Sequence, residues 1–131
     1  MTSTELTEKF RRLEAGVAAE KGEFALFALF LREDVPDRWD LIVSAAWASS
    51  NEKSALDYLI ARIKSDLGPE DLTNLSRIVF LDPQDSSVQA LNKAFHVEHG
   101  VVEVRDSTFF GLPIKHGFII TSKRVDTAVP R

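Results

Sequence analysis

The segment from Phe24 to Ala48 constrains the fold of this chain more than any other part of the sequence. It consists of two apolar runs, FALFALFL and LIVSAAWA, joined by the charged connection REDVPDRWD. Both runs are apolar at even and at odd positions, which is typical of strands covered on both faces of a sheet. The connection is too short for a crossover helix, so we predict that the two strands pair antiparallel as a central hairpin.

Length, composition and charge favour one globular domain. The chain has 131 residues, of which 44% are hydrophobic and 27% are charged, and this suits a single core. A net charge of −4 argues against a nucleic-acid partner or a membrane-surface partner. The absence of cysteine excludes disulfides, thiolate nucleophiles and Cys-type zinc sites.

The sequence also carries no sign of export or of membrane insertion. No basic segment followed by an apolar segment opens the chain, as a secretory signal would require. The longest apolar runs have about eight residues, whereas a helix that spans a bilayer needs about 20. We therefore expect a cytoplasmic protein.

The spacing of apolar residues predicts three helices and five strands in the order α-β-β-α-β-α-β-β. Helices are expected over about 4–20, from an N-cap at Ser49 to Gly68-Pro69, and after a cap at Asp85. Strands are expected at Phe24–Leu31, Leu41–Ala48, Arg77–Leu81, Val101–Asp106 and Gly117–Ser122.

These elements predict a single α+β domain over residues 1–131, with loose ends at 1–3 and 123–131. The helices would pack on a mixed or largely antiparallel five-stranded sheet, with the Phe24–Ala48 hairpin at its centre.

No strong motif for catalysis or nucleotide binding is present. The sequence lacks a P-loop, G-x-G-x-x-G, G-x-S-x-G and H-E-x-x-H. The candidate functional residues are therefore groups of side chains that suit a particular kind of binding or catalysis. For each group, a purely structural role is the alternative interpretation.

The connection between the two central runs is the first set. It holds six charged residues around Trp39. Its carboxylates suit a hard cation, and Arg38 suits an anion, with Trp39 covering a pocket. Arg38, Trp39 and His116 are therefore candidate ligand-binding residues. The alternative is a solvated turn on which Trp39 folds back.

The second set is a group of acidic and basic residues on predicted strands. Asp82, followed by Glu103-Val104-Arg105, loosely resembles the Asp…Glu-x-Lys pattern of restriction-endonuclease-like enzymes, with Arg in place of Lys and no other part of the pattern. With Asp40, these residues are the catalytic candidates. Carboxylates that meet in one coordination sphere would hold a divalent cation, and Arg105 would stabilise charge at a phosphate. The alternative is an exposed strand with alternating charge.

Two further sets carry weaker signals. His96 and His99 would share a metal only within a helix, and Gly100 indicates that the helix ends there, so we predict no metal site and no cofactor. Ser107 lacks a positioned base, which a nucleophilic serine needs. Phe109 and Phe110 suit either the completion of the core or contact with a partner.

We regard a non-catalytic module as the leading hypothesis from sequence. It would act through contacts with a protein partner or with a second copy of itself as a homo-oligomer. The N-terminal helix, the alternating strand Val101–Asp106 and Phe109-Phe110 offer contact surfaces.

Two other functions stay open. One is a metal-dependent hydrolase or nuclease-like enzyme that uses Asp40, Asp82 and Glu103. The other is a small-ligand binding domain around Arg38 and Trp39, which requires an apolar pocket with converging polar groups.

Overall fold

The computed structural model describes residues 3–34 and 37–124. Within them the predicted central hairpin forms β1 (Leu26–Arg32) and β2 (Trp39–Ser44), which pair antiparallel. On the other side of β1 lies β5 (Leu112–Ser122), also antiparallel. One edge strand, β3 (Leu75–Leu81), runs parallel to β2, and the other, β4 (Val102–Phe109), runs antiparallel to β5. The sheet order β3-β2-β1-β5-β4 confirms the predicted mixed five-stranded sheet with this hairpin at its centre.

Helices cover both faces of the sheet. The described residues form α1 (Ser3–Lys21), α2 (Ala46–Ser49), α3 (Glu52–Asp66), α4 (Pro69–Thr73) and α5 (Ser86–Ala94). The apolar residues of α1 and α3 pack on one face of the sheet, which we call the α1 face. Those of α5 pack on the opposite face, the α5 face. Within these ranges no helix combines the length and the apolar character that crossing a membrane requires.

The middle strand β1 is buried on both faces. Its residues from Leu26 to Phe30 are at most 1% exposed. Phe27 and Leu29 belong to the core of the α1 face, whereas Leu26 and Phe30 belong to that of the α5 face. Burial of each large apolar side chain stabilises the fold by roughly 1.5–3 kcal/mol before the entropy cost. This burial on both faces explains why the run has no polar residue at its even or at its odd positions.

Two predicted boundaries around β2 were wrong. The strand ends at Ser44 rather than Ala48, because the next residues form the short helix α2. Trp47 of α2 donates its indole N–H to the carbonyl of Gly22, 3.1 Å away, which ties the helix to the end of α1. The N-cap of α3 is Asn51 rather than Ser49, since the Asn51 side chain accepts from the N–H of Ser54.

Parts of both predicted loose ends are ordered against the rest of the domain. Ser3 begins α1, and the backbone N–H of Lys123 donates to the carbonyl of Ala25. Of the loose ends predicted at 1–3 and 123–131, residues 1, 2 and 125–131 lie outside the described residues.

A glycine in β5 makes room for a core ring. Gly117 is paired with Phe30 of β1 and with Val104 of β4. A Cβ at position 117 would lie 2.6 Å from Cδ1 of Phe30 and 2.9 Å from Cγ2 of Val104. The Phe30 ring therefore lies over the glycine, where it stacks on Phe109 with a centroid separation of 4.8 Å.

We predict that Gly117→Ala lowers the free energy of unfolding by about 1–3 kcal/mol, because the added methyl group displaces the Phe30 ring. Urea denaturation measures the effect. Lys115→Ala, at an exposed position of the same strand, is the control and should change stability by no more than about 0.5 kcal/mol. Equal stability of the two variants would contradict the assigned packing of Phe30.

Candidate functional site

A cleft of about 410 Å³ opens on the α5 face of the sheet. It lies between strands β1–β3, the start of α5 and the tip of the β4–β5 hairpin. We call it the Asp40 cleft. Most of its lining is apolar, and its polar members are Asp40, Arg77, Asp85 and Ser87. A mostly apolar cleft with a few polar groups is the usual form of a small-molecule site.

Asp40 is the buried charge of the cleft, with only 2% of the residue exposed. Its Oδ2 accepts a hydrogen bond from Nε of Arg77 at 3.0 Å. Nε of Arg32 also lies 3.0 Å from Oδ2. Because its N–H is not aligned with that oxygen, this second contact is an ion pair without a hydrogen bond. Oδ1 of Asp40 has no hydrogen-bond partner among the described residues. A buried carboxylate is stable only with compensating charge, which the two arginines supply.

Arg77 joins this buried pair to the open part of the cleft. It stands opposite Asp40 in the parallel register of β2 and β3, and its side chain is 45% exposed. Because Asp40 holds Nε, the two terminal nitrogens of the guanidinium stay available; no described residue accepts from them. A guanidinium oriented in this way presents a fork of donors that matches a carboxylate or a phosphate.

The start of α5 forms a polar rim of the cleft. Asp85 is the N-cap, and its Oδ1 accepts from the backbone N–H of Ser87 at 2.8 Å. Asp85 is therefore occupied in capping the helix, as the sequence predicted. Ser87 lines the cleft in the first turn, where the helix dipole favours negative charge.

An aromatic hairpin tip closes the other side. Phe110 and Gly111 connect β4 to β5 with φ values of +55° and +75°, as a two-residue turn of type I′ requires. Asparagine, aspartate or glycine normally fills the first position, and an ordinary L-residue there costs roughly 1–2 kcal/mol. The turn places the Phe110 ring beside the cleft, with its centroid 6.3 Å from that of Phe30. Backbone strain of this kind is concentrated at functional sites.

The ligand-binding residues expected from sequence lie elsewhere. Trp39 is 9% exposed and packs in the core of the α1 face, with its ring 5.9 Å from that of His116 and 5.7 Å from that of Phe118. Arg38 is exposed in the connection between β1 and β2. The structure therefore brings Trp39 and His116 together, but on the face opposite the Asp40 cleft, and it leaves Arg38 apart.

The catalytic candidates do not converge. Asp82 follows β3 at one edge of the sheet, whereas Glu103 lies on β4 at the opposite edge. Glu103 pairs with His116, with Nε2 and Oε2 2.5 Å apart, and with Arg105 at 2.7 Å. The hydrogen bond with His116 is the main reason that the pKa of the Glu103 carboxyl lies below its usual value. Asp40, on the other face of the sheet, shares no cation site with either carboxylate.

Two buried acids were not expected from sequence: Glu14, and Asp71 of α4, which is 1% exposed and pairs with Lys9. Glu14 of α1 is fully buried; its Oε2 accepts from the Thr121 hydroxyl at 2.7 Å, and its Oε1 lies 2.5 Å from Nδ1 of His99. The other ring nitrogen of His99 lies 3.6 Å from Glu23 and 3.8 Å from Glu98, and the three side chains could hold an ion.

The ammonium group of Lys123 already contacts the carboxylates of Glu23 and Glu98. Nζ of Lys123 lies 2.9 Å from Glu98 and 3.3 Å from Glu23. The hydrogen bond from Lys123 is the main reason that the pKa of the Glu98 carboxyl lies below its usual value. Lys123 therefore lies where a cation between Glu23 and Glu98 would lie, and the contact of Glu14 with His99 ties α1 to the segment after α5.

Comparisons of the chain with protein-family models, with curated proteins and with solved structures give no match.

We predict that Asp40→Asn lowers the free energy of unfolding by roughly 3 kcal/mol. Arg32, with a side chain 16% exposed, and Arg77 would then face each other without the charge that compensates them. Asp57→Asn, an exposed acid paired with Lys53 on α3, is the control and should cost about 0.5 kcal/mol or less. Urea denaturation compares the two, and equal losses would show that Asp40 is not a buried ion-pair partner.

Proposed function

We propose that the protein is a non-catalytic binding module whose ligand is a small organic anion held in the Asp40 cleft. One observation carries the proposal. The buried carboxylate of Asp40 orients the half-exposed guanidinium of Arg77 at the edge of a mostly apolar cleft.

The guanidinium of Arg77 is the feature of the cleft that favours an anionic group. Two guanidiniums, those of Arg32 and Arg77, converge on the single carboxylate of Asp40. Arg32 also lies 3.5 Å from the exposed carboxylate of Asp34, which partly balances its charge. Arg77 retains the terminal nitrogens of its fork, whereas the start of α5 is already capped by the carboxylate of Asp85. A carboxylate or a phosphate matches the fork of Arg77.

The remaining lining favours an apolar body on the same ligand. The rings of Phe30 and Phe109 are stacked, and Phe110 stands beside them. Leu112 and Ile114 of β5 continue this apolar surface. A volume of about 410 Å³ lies near the lower end of the range of roughly 300–1,000 Å³ that is usual for small-molecule sites. The cleft therefore suits a compact molecule with one anionic end.

Binding has more support here than catalysis. Among the described residues that line the cleft, no histidine or lysine accompanies the Ser87 hydroxyl, so it has no ordinary base. Asp40 is engaged by arginines, and Asp85 caps α5. A hydrolase that uses Asp40, Asp82 and Glu103 would need these carboxylates to meet, and the fold separates them.

The hypothesis of a protein partner has less support than the ligand hypothesis. Over the described residues, the one large hydrophobic side chain that is clearly exposed is Val101, at 43%. Phe109 and Phe110, which the sequence places either in the core or at a partner surface, line the cleft. Contact surfaces between proteins usually centre on apolar or aromatic side chains.

We predict that Arg77→Gln weakens the binding of benzoate, a compact aromatic carboxylate, by about ten- to a hundredfold. A hydrogen bond to a charged group is worth about 1.5–3 kcal/mol. Isothermal titration calorimetry measures the affinity. Arg38→Gln makes the same change of charge at an exposed arginine near the start of β2, and it should leave the affinity unchanged.

Two results would contradict the proposal. One is a wild-type protein that binds neither benzoate nor phenyl phosphate at millimolar concentration. The other is an equal loss of affinity in both arginine variants, which would indicate attraction by overall charge rather than a fork oriented by Asp40.

A further inference from the structure

A second cleft, of about 290 Å³, lies between α5 and the β4–β5 hairpin. We call it the α5 cleft. It carries no charged side chain among its described lining residues, which are Ser87, Ala90, Leu91, Ala94, Phe95, Thr108, Phe109 and Phe110. Ala90 and Ala94 are four residues apart on α5, and their small side chains leave this space open beside the hairpin.

The two clefts share a wall. Ser87, Phe109 and Phe110 line both of them. The tip of the hairpin therefore separates a cleft with a charged end from a cleft without one. Phe110 occupies this wall in its strained backbone conformation, with φ of +55°. An extended molecule that follows the hairpin tip contacts both spaces.

We infer that the ligand is a carboxylate with a flexible aliphatic chain, whose head binds Arg77 and whose chain passes Phe110 into the α5 cleft. This inference rests on the proposed function of the Asp40 cleft. The planar carboxylate matches the guanidinium fork of Arg77 with two parallel hydrogen bonds. The buried Asp40 accepts from Nε of Arg77 through its Oδ2 and so fixes the direction of that fork.

The apolar lining of the α5 cleft explains why a chain would bind there. Each methylene group that leaves water for an apolar surface tightens binding by roughly three- to fourfold. A compact aromatic acid occupies the Asp40 cleft alone, whereas an aliphatic chain adds the contacts of Ala90, Ala94 and Phe95. Affinity should therefore rise with chain length and then level off when the α5 cleft is full.

Calorimetry with butanoate, hexanoate, octanoate and decanoate tests this inference. We expect the affinity to increase by roughly three- to fourfold per added methylene over the first members of the series. Ala94→Phe fills the α5 cleft from the helix, and it should weaken decanoate binding at least tenfold while leaving butanoate binding unchanged. Ala90→Leu is a second, smaller variant with the same expected direction, which is useful if Ala94→Phe does not fold.

Ala61→Phe, at an exposed position of α3, is the matched control and should bind every member of the series as the wild type does. An affinity independent of chain length, with Arg77 still required, would overturn the inference about the chain and leave the proposed function intact. A gain with chain length that Ala94→Phe and Ala90→Leu leave unchanged would also overturn it. No binding by any member of the series while benzoate still binds would overturn the inference alone. No binding by the series, by benzoate or by phenyl phosphate would overturn both.

Discussion

Burial of β1 on both faces is the constraint on which the rest of this structure depends. A strand with no polar face needs cover from above and below, and the fold supplies the two covers unequally. The α1 face is covered by the 19-residue α1 together with the 15-residue α3, whereas the α5 face has one helix of 9 residues. A helix of that length extends about 14 Å, and a five-stranded sheet is roughly 20 Å wide. The aromatic hairpin tip covers part of the remainder, and the two clefts are the part left open.

The charged residues of the Asp40 cleft lie at the end of the central hairpin where β1 and β2 leave the core. Arg32 ends β1 and Asp40 lies near the start of β2, so both are close to the short connection that the hairpin requires. Removal of an isolated carboxylate from water is costly, and Asp40 is compensated by Arg32 from its own hairpin and by Arg77 from the neighbouring parallel strand. The same pairing that stabilises Asp40 orients the guanidinium of Arg77. Structural stability and the proposed recognition of an anion therefore depend on one set of atoms.

The central hairpin was predictable because its evidence is local: a strand buried on both faces has no polar residue at either parity. The pair of Asp40 and Arg77 was not predictable, since the two residues are 37 positions apart and meet only through the order and the parallel register of β2 and β3. Asp40 was a candidate because it opens a strand beside Trp39, but nothing local singled out Arg77. Glu14 escaped prediction for a similar reason, because a partner 85 residues away makes its burial tolerable. The sequence left Phe110 open between the core and a partner surface, because its position depends on the face of the sheet above which the hairpin tip lies.

Methyl-resolved NMR during titration with benzoate tests most directly the claim that the Asp40 cleft is a ligand site. The account predicts that the chemical-shift changes are confined to methyl groups that line the cleft, such as those of Ile42, Val79, Leu81 and Ile114. The methyl groups of Leu59 and Ile63, which are buried on the α1 face, should keep their positions. Shifts centred on the α1 face, or no shifts at millimolar benzoate, would contradict the account.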